Sequence, residues 1–259
     1  MKYNLISNPI VNFKASKNLK LKVMTFFLSL MPSDLSGYNV CPIANKVTKK
    51  ENNKNKSNCS SVCVAHNGNG NYSNVKKARI RKTKLFFENR NLFLVQLVGD
   101  IFKAINEAKN KGFKPTFRLN AYSDIKWEKI KIRAFGDCTI FELFPNVTFY
   151  DYTKLLNRVT PKNYELTYSH WGQWSDTNSQ LKNGLNVAMV FDKRNELPTK
   201  YNNRIVVDGD KTDLRTRKND GKNVIVGLRA KMSFKNIENE LNKKISFIIK
   251  PKNKKRGKK

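Results

Sequence analysis

The sequence predicts an α/β protein made of a single (β/α) barrel-like domain, partial or complete, with mostly parallel strands. Three observations carry that expectation. Short runs rich in β-branched and aromatic residues recur at 116–124, 147–154, 164–170, 186–192, 204–210 and 224–231, each bounded by Gly, Pro, Asn or Asp, as strands are. Connections of roughly ten to thirty residues separate them, some helical in pattern such as 179–185, and this alternation is what βαβ units require. Five of the six runs close in a burst of polar and charged residues. In parallel α/β folds such strand ends share one face, so those side chains are expected to line a single pocket.

Residues 1–20 are rich in Asn and Lys and read as a flexible leader. The apolar run 23–31 falls short of the roughly 20 residues a bilayer span needs, and no convincing signal peptide with its cleavage site opens the chain. It reads as a first buried strand, followed by a turn at 32–37. Residues 46–57 are polar and of low complexity, so 45–58 is expected to be a flexible insertion outside the fold. From 74 to 111, Phe86, Phe93, Leu97, Ile101, Ala104, Ile105 and Ala108 recur at helical spacings, which predicts one long helix ended by Gly112. The domain is expected to span 21–235, leaving 236–259 as a disordered basic tail with nine Lys or Arg and no carboxylate between 243 and 259.

The formal charge is +31, from 51 basic against 20 acidic residues. A surplus of that size draws in polyanions and makes nucleic acid, above all DNA, the natural partner; the codon bias of an AT-rich genome is the other source of so much Lys and Asn. Six cations between 76 and 84 stand near a predicted helix start, where they either meet an anion or form a solvated face. No membrane partner is expected. The reading is a soluble, cytoplasmic protein whose four Cys stay reduced. The phosphate-binding GxxxxGK[ST] loop, the GxGxxG fingerprint and the GxSxG elbow are all missing, which removes support for nucleoside triphosphate motors, classical dehydrogenases and α/β-hydrolases.

Cys59 and Cys63 are spaced C-x3-C, with Cys41 upstream and His66 just beyond. Thiolates and an imidazole suit zinc, three thiolates suit an iron–sulfur cluster, and small buried residues are the alternative. Cys138 stands alone. Asp124 and Glu128 flank Trp127 at a strand end, either as catalytic carboxylates or as parts of a helix cap. Asp208, Asp210 and Asp213, with Arg215, put three carboxylates within six residues, suited to a divalent cation such as magnesium or to an Asx turn. Asp151 and Lys154 close another strand, and a strand-end Lys binds phosphate or, when desolvated, acts as a nucleophile. His170 follows Ser169 and precedes Trp171 and Trp174, a setting for acid–base work, for stacking of bases, or for an ordinary loop. The expected catalytic set is therefore Asp124, Glu128, Asp208, Asp210 and His170. Substrate binding is expected from Arg118, Asn120, Asp151, Lys154, Ser169, Arg215 and Lys231.

All of these residues but His170 lie in the stretches 34–42, 118–128, 149–154, 163–169, 186–191, 208–215 and 226–231, through which the chain resembles a family of uncharacterised phage and plasmid proteins over about 30–231. The long insertion between Cys41 and Cys59 departs from that family, and His66 falls where its members often have no histidine, which favours three thiolates. Radical S-adenosylmethionine enzymes are similar in having an early strand, a cysteine loop and a partial barrel. Phage relatives of tRNA-guanine transglycosylase are similar in their strand-end aspartates. The resemblances imply a phage protein made in a bacterial cytoplasm, with S-adenosylmethionine as a further cofactor and base modification in nucleic acid or nucleotides; the residues themselves suggest an iron–sulfur cluster or zinc on Cys41, Cys59 and Cys63 and a divalent cation. The competing expectation is a non-catalytic DNA-binding accessory protein with a structural metal.

Overall fold

The computed structural model describes residues 4–9, 16–43, 63, 70 and 72–251. The expected insertion 45–58, Cys59, His66 and the last eight residues of the basic tail lie outside them.

The chain opens with β1 (Ile6–Ser7), a 3-10 turn (Lys17–Leu21), β2 (Val23–Leu28) and a short helix α1 (Ser33–Ser36). Two long helices follow, α2 (Ser73–Glu88) and α3 (Arg90–Asn110). The seven apolar positions that predicted a helix here are all buried. The single helix expected is nevertheless two, because Asn89 leaves helical geometry (φ −140°, ψ 68°) and its side chain caps the next helix by accepting from the Leu92 N–H.

After them come β3 (Lys114–Arg118), α4 (Ile140–Leu143), β4 (Thr148–Thr153), β5 (Tyr164–Ser169), α5 (Trp174–Lys182), β6 (Asn186–Phe191), β7 (Lys200–Tyr201), β8 (Arg204–Asp208), α6 (Arg217–Asp220), β9 (Ile225–Arg229), α7 (Phe234–Leu241) and β10 (Ile248–Ile249). All six strands expected after the long helix are present, each somewhat shorter than its sequence run. No helix among the described residues is long and apolar enough to cross a membrane.

One ten-stranded sheet runs β1-β2-β3-β4-β5-β6-β9-β8-β7, with β10 also on β6. Pairing is parallel from β2 through β8, and antiparallel only where β1 joins β2 and β7 joins β8. The ladder does not close, so the complete barrel is corrected to an open, mostly parallel sheet. The outer edges of β2 and β8 are taken by the short antiparallel strands β1 and β7, and the loop after β8 reaches the β2 side through side chains rather than through a backbone ladder. Asn18, just before β2, accepts from the Asp213 N–H (2.9 Å), and the Lys17 ammonium donates to the Asp210 carbonyl (2.6 Å).

Strand alternation separates two faces. Met24, Phe26 and Leu28 of β2 and Phe117 of β3 pack with Phe93, Leu97 and Ile101 of α3 in the main core cluster. The opposite face is polar and threaded by the loop after β8. There Thr25 meets Thr116 (2.8 Å), Asn18 reaches Thr25 and Tyr150, and Leu214 packs on Val23 and Tyr150. Gly209 opens that loop because a Cβ there would lie 2.4 Å from Val226.

Residues 236–251, expected to belong to a disordered tail, are folded into α7 and β10. Ile237, Ile248 and Ile249 bury their side chains, which is enough to anchor the segment. β9 takes one edge of β6, and on the other edge β5 pairs with 186–188 while β10 pairs with Val190 and Phe191. The last strand thus fills the edge that β5 vacates.

Candidate functional site

Because β2 to β6, β9 and β8 run parallel, Leu28, Arg118, Thr153, Ser169, Phe191, Arg229 and Asp208 all end at one edge of the sheet. The polar residues that follow each strand were expected to meet there, and they form three groups.

The first is built on Arg158, whose side chain is 1% exposed. It donates to Asp124 (3.0 Å), to both carboxylate oxygens of Glu128 (3.0 and 2.6 Å) and to the Ile125 carbonyl. Asp124 also accepts from the Thr153 hydroxyl (2.8 Å) and the Lys154 N–H (2.7 Å). Burial raises its carboxyl above the usual range, while those N–H and O–H groups and Arg158 pull it back. Sequence spacing does bring Asp124 and Glu128 together, but on a cation that sequence reasoning missed. Asn120 and Asp151 were expected to bind substrate and instead spend their side chains inside. Asn120 accepts from Ser123, the Ile125 N–H and the Trp127 indole. Asp151, fully buried, accepts from the Leu119 and Asn120 N–H groups and the Tyr164 hydroxyl, and burial pushes its carboxyl up to about 7.

The second group is Lys154, Ser169 and His170. The Lys154 ammonium donates to the Ser169 hydroxyl oxygen at 2.8 Å and to its carbonyl at 3.3 Å. His170 is 3% exposed, and its Nδ1 lies 2.6 Å from the Thr177 hydroxyl. The Thr177 hydroxyl also lies 2.9 Å from the Gln173 carbonyl, an arrangement that suits a proton on Nδ1. Burial, and then the Lys154 charge, lower this imidazole to about 4. Since that lies below the ordinary 6.5, its share of folding stability is complete above pH 6.5 and is lost as pH falls through about 4. An NMR titration should find His170 neutral at pH 5, with its midpoint moved upward in Lys154→Met; a midpoint near 6.5 would contradict this environment.

The third group follows β8 and β9. Both Asp208 oxygens lie 3.1 Å from Arg229, and Asp210 accepts from the Arg229 N–H (3.0 Å), with Lys231 at 3.9 Å. Burial works against the Asp208 charge, but Arg229 holds its carboxyl below the usual range. Asp213 turns away to Arg118 (2.8 Å), whose guanidinium lies over the rings of Phe27, Tyr150 and Tyr152. Arg215 is buried, bonded to Thr212 and 3.5 Å from Asp220. The three carboxylates expected to share one divalent cation are thus divided between two arginines. A cavity of about 10 Å³, room for one water, lies among Lys17, Tyr152, Asp210, Asp213 and Lys231.

Cys41 sits on the loop after β2, its thiol 3.6 Å from the Tyr122 carbonyl, while the neighbouring Val40 carbonyl accepts from the Asp124 N–H. Among the described residues no group of three or more His, Cys, Asp or Glu could hold a metal ion. Cys63 is described, whereas Cys59 is not, so the three-thiolate set extends beyond the described residues. Of the cations at 76–84, Arg79 stacks over Tyr122 and Lys82 donates to the Leu5 carbonyl, burial lowering its ammonium to about 8.

Residues 7–249 match the gene product 88 family, nearly the whole described fold. The chain belongs to that family. No curated protein and no solved structure matches it. For a gene product 88 protein, then, the functional reading comes from the strand-end groups themselves, and the phage-type resemblance seen in the sequence is in keeping with the match. Arg158 is the residue whose importance the sequence signalled least: the one available cue was that two carboxylates four residues apart, Asp124 and Glu128, call for a nearby cation once buried.

Proposed function

We propose that this protein is an enzyme acting on nucleic acid or nucleotides, with its reaction centre at the strand-end edge around Lys154, Ser169 and His170. One observation supports the reading above the others. Around the edge the acidic side chains are matched to arginines, yet the Lys154 ammonium contacts no carboxylate among the described residues and is held by a hydroxyl and a carbonyl. A cation so held keeps its charge for a ligand, and in a chain of net charge +31 that ligand is a phosphate. Ser169, accepting from Lys154, keeps its own proton to donate to the same anion. His170, on the very next residue, is the proposed acid–base group. Of the other cations expected to bind substrate, Lys231 lies at the edge beside Asp210, whereas Arg118 is taken by Asp213. Cys41, one residue beyond the Val40 that accepts from the Asp124 N–H, is with Cys59 and Cys63 the proposed ligand set of zinc or an iron–sulfur cluster; S-adenosylmethionine would be the further cofactor.

A second reading, a DNA-binding accessory protein without turnover, is favoured by the neutralisation of Asp124, Glu128, Asp208 and Asp210 on Arg158 and Arg229. Expression in bacteria, followed by nucleoside mass spectrometry of the host DNA and RNA and by metal analysis of anaerobically purified protein, separates the two. An altered nucleoside that appears with the wild type and not with Lys154→Met supports the enzyme. Unaltered nucleosides together with undiminished DNA affinity support the accessory protein.

A further inference from the structure

Resting on the reading of Lys154 and Ser169 as a phosphate site, we infer that this edge takes an unpaired nucleotide of a single strand, its base stacked on Trp171 and its phosphate on Lys154 and Ser169. Trp171 lies two residues beyond Ser169, so their Cα atoms are at most about 7 Å apart, within the scale of one nucleotide. The chain contains three tryptophans, and their settings differ. Trp127 is 1% exposed and serves the core. Trp174 has His170 on one side (5.2 Å) and Tyr201 on the other (5.7 Å). Trp171 is half-buried and has no ring partner among the described residues. It rests partly on the cluster of Tyr168, Leu181 and Val187, and its indole N–H is tied to the Tyr168 hydroxyl at 3.1 Å.

The loop that holds Trp171 packs closely on residues 245–246: Gly172 has φ +103°, and a Cβ there would lie 2.5 Å from Ile245 and 3.1 Å from the Ser246 carbonyl. The bond of the indole N–H to Tyr168 favours one ring orientation, which lowers the entropy lost when a base settles on it. Bases inside a duplex are covered on both faces by their neighbours. Only an unpaired or flipped base has a face to offer an indole, while phosphate binding alone makes no such distinction.

The test uses the full chain at low salt, with a single-stranded oligothymidylate, a duplex of equal length and inorganic polyphosphate as probes. Tryptophan fluorescence should fall on addition of the single strand. Trp171→Ala should weaken single-strand binding about tenfold or more and remove the quench, leaving duplex affinity unchanged. Trp171→Phe, which retains a stacking face, should keep most of the affinity, and that rescue separates stacking from misfolding. Equal single-strand affinity in Trp171→Ala, or polyphosphate binding as tight as the single strand, overturns the base site while the phosphate site stands. Failure of all three probes to bind overturns the phosphate reading as well.

Discussion

Arg158→Met is expected to destabilise the protein by about 3–5 kcal/mol at pH 7, because it strips two buried carboxylates of the charge that compensates them. The side chains of Asp124 and Glu128 are only 11% and 4% exposed, so neither can turn to water for the lost bonds. The measurement is urea unfolding at two pH values. Asp124 is already raised by burial, and losing Arg158 raises it further, so its protonation in acid relieves part of the penalty. The deficit should therefore be larger at pH 7 than at pH 5. Arg158→Lys should be intermediate, since an ammonium cannot grip Glu128 by two parallel bonds. A deficit under about 1 kcal/mol at pH 7 would show that the pair is solvated and that Arg158 does not organise this end of the sheet.

Lys154→Met is expected to lower product formation by about a hundredfold or more, the scale seen when one preorganised donor to a reacting anion is removed. Stability should change little, because among the described residues the ammonium bonds only to Ser169, and the aliphatic stem is retained. The two variants therefore dissociate: Arg158→Met unfolds easily, and Lys154→Met folds but fails. Single-strand affinity should fall, and the slope of log K against log salt should shrink by about 0.7, one phosphate contact. Ser169→Ala, which removes a hydroxyl rather than a charge, should have the smaller effect. Full turnover in Lys154→Met would end the assignment of the reaction centre to this pair.

Local signals made much of the architecture legible. The runs at 147–154, 164–170 and 186–192 overshoot β4, β5 and β6 by only a residue or two, because aromatic and β-branched content marks a buried parallel strand directly. β1, β7 and β10 are two residues each and carry no periodicity to read. The open ladder was hidden for another reason: it depends on how β8 meets β2, two strands far apart in the chain. β10 was masked by composition, since a lysine-rich segment looks disordered until two isoleucines are given a neighbouring strand. At the edge, Asp124, Lys154, Ser169 and His170 were found by their positions at strand ends, and contacts do link them. What spacing could not reveal was which polar groups are spent. Asn120 and Asp151 hold the loop after β3, and Arg229 and Arg118 divide the carboxylates after β8.

The gap between β2 and β8 gives the sheet something a closed ladder lacks. Side chains make the bonds across it, Asn18 to Asp213, Lys17 to Asp210 and Arg118 to Asp213 among them, whereas the other neighbouring parallel strands are joined by backbone ladders. Thermal breathing will concentrate at this expansion joint.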